Sequence, residues 1–123
     1  MDQSVSRTSG YAVELVRQAH RREAERVRQY EQRRRRAHEI AQALRAEYGE
    51  HLCVYLFGSL LDLERYRLDS DLDLAVIGLT PDNYWDAWAR AEAFAGDVEL
   101  DFVRFETAAE PLRRHIRDQG QVL

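Results

Sequence analysis

The sequence predicts an α/β (α+β) domain: a small mixed sheet of three to four strands flanked by helices, with one long helix at the N-terminus. Three observations lead there. From about Gly10 to Tyr48 the chain holds no proline and no internal glycine, so a helix can run unbroken. Three strand-length apolar runs follow, at Leu52–Phe57, Asp71–Ile77 and Val98–Phe105. Helix-opening signals then stand behind the second and third runs, at Thr80-Pro81 and Thr107 to Pro111. With 123 residues the chain suits one such unit, which buries about two thirds of its unfolded surface.

In the long helix, Val13, Val16, His20, Glu23, Val27, Tyr30, Arg34, Ala37, Ala41, Leu44 and Tyr48 recur at steps of three and four. Polar residues interrupt the first half of this stripe, so its second half is the better amphipathic helix and is expected to pack on the sheet. The first half should project from the core. Arg33 to Arg36 reads as a solvated helix face. Gly49 stops the helix. Leu52 to Phe57 is a buried strand ending in Gly58-Ser59, and Leu60 to Ser70 is a turn with at most one helical turn. Asp71 to Ile77 is the second strand. The following helix runs from Thr80 to about Ala95, with Tyr84, Trp85, Trp88, Ala91 and Phe94 as its apolar positions and core packing or a partner contact as the expected role of both tryptophans. Val98 to Phe105 is the third strand. Thr107 to Glu110 reads as a capping box for a last helix reaching about Asp118, before the tail Gln121-Val122-Leu123.

Charge is divided unevenly. Residues 1–50 hold 11 Arg and 8 acids, whereas residues 51–123 hold 7 Arg and 14 acids, and lysine is absent. So acidic a second half argues against direct nucleic-acid binding, which depends on neutralising phosphates, and suits a site that collects divalent cations. The single cysteine, Cys53, has no internal partner and sits in an apolar run, as a small buried hydrophobe would. Together with the lack of a signal-peptide pattern or a membrane-length apolar run, this gives a cytoplasmic protein as the expectation. The four histidines show no metal-ligand spacing and are taken as structural.

The chemistry is carried by carboxylates. Alternation along a strand puts Asp71 and Asp73 on one face while Leu72 and Leu74 point into the core. Glu99 and Asp101 share a face of the third run in the same manner. If the second and third strands are neighbours, Asp101 joins the pair, and three carboxylates match hard Mg²⁺ ions, two of which could serve an in-line displacement at phosphorus. Glu99 is then a nearby surface acid. Gly58 and Ser59 would let backbone and hydroxyl approach a triphosphate.

Leu56-Phe57-Gly58-Ser59 followed by Asp69-Ser70-Asp71-Leu72-Asp73-Leu74 resembles the Gly-Ser, Asp-x-Asp signature of the DNA polymerase β-like nucleotidyltransferase superfamily. The small size is similar to its minimal nucleotidyltransferase (MNT) branch. The resemblance covers about residues 33–123, which form the nucleotidyltransferase domain, and leaves residues 1–32 as a helical extension. It implies the polymerase β-like palm fold, with Asp71, Asp73 and Asp101 as catalytic residues and Mg²⁺ ligands, and Gly58, Ser59, Asp71 and Asp73 as nucleotide-binding residues. Two features depart from the pattern: 11 residues separate Ser59 from Asp71, one more than usual, and Leu60-Leu61-Asp62-Leu63 replaces a common Arg-rich segment.

Members of this branch are similar to antitoxins of HEPN ribonuclease toxins. The resemblance therefore implies transfer of AMP from ATP to a tyrosine of a cognate HEPN toxin. Two alternatives stay open: a nucleotidyltransferase acting on a small molecule such as an aminoglycoside, and a non-catalytic antitoxin that works by binding. The extension is expected to serve partner binding or self-association through Val13, Val16, Val27 and Tyr30.

Overall fold

The structure, a computed structural model, describes residues 3–123, with side chains from Gly10 onward. Helix α1 spans Gln3–Tyr48, and strand β1 (Cys53–Phe57) ends in a 3₁₀ turn over Gly58–Leu61. After a spacer come β2 (Leu72–Ile77), α2 (Pro81–Ala95) and β3 (Leu100–Arg104), then a second 3₁₀ turn over Phe105–Thr107. Helix α3 (Glu110–Gln119) and the short β4 (Gln121–Val122) complete the chain. The strands are ordered β3-β2-β1-β4, with β1 antiparallel to both β2 and β4, and β2 parallel to β3. That parallel pair follows from the connection: α2 crosses one face of the sheet and returns the chain in the same direction. The expected α/β class, mixed sheet and long N-terminal helix are all present.

The two faces of the sheet differ. Val54, Leu56, Leu72, Leu74, Val76 and Phe102 point towards α1 and α2, which bury Ala37, Ile40, Ala41 and Leu44 from α1 and Ala87, Ala91 and Ala95 from α2. The three alanines, four residues apart, let α2 lie close. On the opposite face Phe57, Ala75 and Ile116 of α3 form a smaller cluster with Tyr55, Val103 and Leu112. Because α3 covers only part of this face, the rest stays open. Thr80 caps α2 as its sequence predicts, its hydroxyl accepting from the Asn83 amide at 3.2 Å, with Pro81 in the first turn.

Several expectations need correction. Helix α1 begins at Gln3, ahead of the predicted start, and runs without a break for 46 residues, or about 70 Å. Thr107 does not open a capping box. It ends the 3₁₀ turn, its hydroxyl donating to the Arg104 carbonyl, and Ala109 precedes α3 with no side-chain cap. The turn keeps Phe105 against the α3 cluster, and that packing outweighs the cap. The C-terminal tail pairs with β1 as β4. Trp85 does not enter the core but is 67% exposed, stacked on half-buried Trp88, and Phe94 is exposed as well. Arg33 to Arg36 is not simply solvated either, since Arg33, Arg34 and Arg36 donate to the carbonyls of Ser70, Leu60 and Phe94. Of the expected contact stripe, Val13 and Val16 are exposed, whereas Val27 is half-buried and Tyr30 packs edge-on against Tyr66.

β4 protects an edge that β1 would otherwise present. Besides the ladder, the Leu123 amide donates to the Val54 carbonyl at 2.9 Å and Arg45 donates to the Leu123 carbonyl at 3.1 Å. Removing residues 121–123 should therefore lower stability by about 2–4 kcal/mol, at about 1 kcal/mol per lost hydrogen bond. Urea unfolding checks this, and an unchanged midpoint would mean that β4 contributes nothing.

Candidate active site

The open part of the α3 face lies where β1 ends and β2 begins. Phe57 pairs with Asp73, so Gly58 follows directly beside that carboxylate. Gly58 has φ +78°, and a Cβ there would collide with Asp73 Oδ2 and lie 3.1 Å from its Cγ. Both the backbone conformation and the close approach demand glycine. Ser59, half-buried, starts the 3₁₀ turn alongside it.

The parallel ladder sets Asp73 opposite Asp101, so the two carboxylates project from neighbouring strands about 4.8 Å apart. Asp71 stands just before β2 and is exposed, two residues from Asp73 and on its side of the strand. Leu72 and Leu74, between and beyond them, are fully buried on the other face. The Leu72 amide donates to the Glu99 carbonyl at 2.9 Å, which ties the start of β2 to the start of β3 and holds the three aspartates at one end of the sheet. Glu99 itself is exposed. The structure thus brings together all five residues that the sequence singled out.

The charges in this group are unbalanced. Burial first, then the neighbouring Asp101 and Asp71 carboxylates, push the Asp73 carboxyl up from 3.8 to about 6. A cation would relieve that repulsion, and hard carboxylate oxygens are the donors Mg²⁺ prefers. The residues present therefore fit the metal in chemistry. Among the described residues, no three His, Cys, Asp or Glu side chains are arranged to hold a metal ion by themselves. A hollow of about 450 Å³ between α1 and Tyr66–Leu68 includes none of these aspartates, which line open surface.

Residues outside the motif also reach its two ends. Arg34 donates to the Leu60 carbonyl, one residue beyond Ser59, and Arg33 donates to the Ser70 carbonyl, one residue before Asp71. Sequence reasoning missed both. The available signal was the place of Arg34 on the apolar stripe, where a solvated arginine does not belong.

A mixed four-stranded sheet with a Gly-Ser turn packed on one of three grouped aspartates defines a nucleotidyltransferase of the polymerase β type. The model of the Polymerase beta nucleotidyltransferase family matches residues 38–123, and the chain belongs to that family. Among solved structures it is similar to the toxin–antitoxin MntA–HepT, at 25% identity and a TM-score of 0.53 over 72% of this chain and 69% of the other. It is also similar to a toxin–antitoxin structure with AMP-PNP, at 25% identity and a TM-score of 0.54 over 68% and 69% of the two chains. A complex of the tri-AMPylated Shewanella oneidensis HEPN toxin with its MNT antitoxin shares the fold, at 24% identity and a TM-score of 0.53 over 73% and 70%. No curated protein matches the chain significantly.

The raised Asp73 value gives a signed pH dependence. A carboxyl that titrates at about 6 folded and near 3.8 unfolded is least costly when protonated, so its penalty grows as pH rises from about 4 to about 6 and is constant above. Asp73→Asn removes the charge. In EDTA the variant should be more stable than the parent by about 1–2 kcal/mol at pH 8, allowing for solvent screening of a half-buried group. The two should converge near pH 4. Thermal unfolding across that range tests this, and a difference independent of pH would refute it.

Proposed function

We propose that the protein is a Mg²⁺-dependent adenylyltransferase that acts as an antitoxin, transferring AMP from ATP to a tyrosine of a cognate HEPN ribonuclease toxin. The observation that carries this reading is the Gly58-Ser59 turn packed against Asp73, with Asp101 in register beside it. Family membership and the likeness to toxin–antitoxin structures, one with AMP-PNP, support it.

In this reading Asp71, Asp73 and Asp101 hold Mg²⁺, while Gly58 and Ser59 seat the triphosphate with Asp71 and Asp73. When bound, the ions supply positive charge to the phosphates and to the attacking and leaving oxygens. The tyrosine oxygen attacks the α-phosphorus, the bond to the bridging β-oxygen breaks, and pyrophosphate leaves. Asp101 lies on edge strand β3 and, like Asp71, is exposed, so an incoming hydroxyl can reach it and pass it a proton. Gly58 keeps the turn tight enough for phosphate oxygens to reach the backbone.

Among the described residues no helix is long and apolar enough to cross a membrane, and a cytoplasmic reaction is part of the same proposal. Self-association belongs to the same reading. Tyr11, Val13, Leu15 and Val16 are exposed on α1 beyond the sheet, and deleting residues 1–22 should reduce the assembly mass seen by light scattering while Mg·ATP still raises the melting temperature.

The direct test follows label from the α-phosphate of ATP onto a HEPN ribonuclease protein supplied as the candidate partner. The parent should label it. Asp71→Asn or Asp73→Asn should lower the rate by at least about 100-fold, as expected for loss of charge-stabilising machinery, with folding retained. Transfer at the parent rate by the double variant in Mg²⁺ would overturn the reading.

A further inference from the structure

We infer that Arg33 and Arg34 of α1 are positioning residues for nucleotidyl transfer, clamping the two ends of the spacer between Ser59 and Asp71; the inference rests on the function proposed above. The spacer is one residue longer than its family's usual one and lacks the common arginines directly after Gly-Ser. Its own side-chain bonds are local, Asp62 accepting from the Glu64 amide and Ser70 bonding to Arg67, and helix α1 adds anchors from outside.

Contacts from one face of α1 run the whole length of the spacer. Arg34 donates to the Leu60 carbonyl and to Gln121 Oε1, both at 2.7 Å, so one guanidinium joins the Gly-Ser turn to β4. It lies over the Tyr30 ring at 5.6 Å, which fixes its plane. Arg26 donates to the Tyr66 carbonyl at 2.9 Å and also to that of Leu63. Gln29 Oε1 accepts from the Asp69 amide at 2.8 Å and from the Tyr66 hydroxyl. Arg33 donates to the Ser70 carbonyl, and its side chain is only 12% exposed.

Position separates two of these contacts from the rest. The carbonyl held by Arg34 is the first after Ser59, and the one held by Arg33 is the last before Asp71. Between Arg33 and Gln29 sits Asp69, the one described non-glycine residue with positive φ (64°), a left-handed conformation that L-residues disfavour. The strained turn delivers Asp71 to the head of β2, and α1 pins it on either side. A guanidinium suits the task because its planar fork serves two acceptors at once, which an ammonium on a flexible stem does not. Small errors matter here, since a displacement of about 1 Å in a positioned group can cost about 100-fold in rate.

The experiment compares Arg33→Met, Arg34→Met and Arg34→Lys with Arg36→Met, which loses a bond of the same kind, to the Phe94 carbonyl, far along the chain from the motif. Two readouts are taken on the full chain: hydrogen exchange at the amides of 59–61 and 71–73, and the kcat and KM for AMP transfer from Mg·ATP to the HEPN protein. Arg33→Met should speed exchange at 71–73, and Arg34→Met at 59–61, by about 5–10-fold, the effect of one hydrogen bond of about 1 kcal/mol. Both should lower kcat by about 10–100-fold, more than they change KM. Arg34→Lys should resemble Arg34→Met, and Arg36→Met should leave both readouts at the parent values. Unchanged exchange in the folded Arg33 and Arg34 variants would overturn the clamp, as would equal losses of kcat in Arg36→Met. Should the Met variants not fold, Arg33→Lys and Arg34→Lys carry the same comparison. If the parent itself transfers no AMP, the proposed function fails, and the exchange data alone decide whether the clamp exists.

Discussion

Two like charges share one rung of a parallel ladder, and the arrangement of the site depends on that rung. Asp73 and Asp101 are partners in the β2–β3 pairing, so their separation is set by the distance between strands and not by side-chain choice. Folding this segment means burying part of Asp73 next to a second carboxylate, and the raised titration of Asp73 expresses that cost. The cost is met by apolar packing on the reverse face, where Leu72, Leu74 and Val76 are fully buried under α1 and α2. A strand so anchored cannot slip by one residue without exposing all three and burying the aspartates. The hydrophobic face therefore holds the charged face in register.

Helix α1 does two kinds of work along its length. Its last turns, Ala37 to Leu44, are core. The middle turns, Arg26 to Arg34, reach sideways to backbone carbonyls and amides of the spacer. Polar backbone that cannot pair within a strand or helix must be satisfied by something, and here a neighbouring helix does it. Between Gly10 and Arg22 the helix carries exposed apolar side chains, Tyr11, Val13, Leu15 and Val16.

Much was legible from residue order alone. The strand at Leu52–Phe57, the Thr80-Pro81 helix start and the alternation at Asp71–Ile77 depend on local rules, and they appear within a residue or two of their expected places. Local rules failed where distant packing outbid them. Thr107 to Glu110 fits a capping box, yet Phe105 packs against α3 and the chain turns instead. Trp85 occupies an apolar helical position, yet the fully buried stripe of α2 is made of alanines, and Trp85 lies outside it, stacked on half-buried Trp88.

The sequence by itself determined the candidate residues for the chemistry: a glycine and serine at a strand end, and aspartates in alternation with leucines, because strand periodicity and residue type are local properties. Only the tertiary structure decided that β2 and β3 are parallel neighbours, which puts Asp101 beside Asp73, and that Arg33 and Arg34 turn inward to the spacer. Both depend on contacts between residues some thirty positions apart. A run of four arginines reads the same whether it faces water or a carbonyl, and the difference arises only when the helix is laid across the sheet.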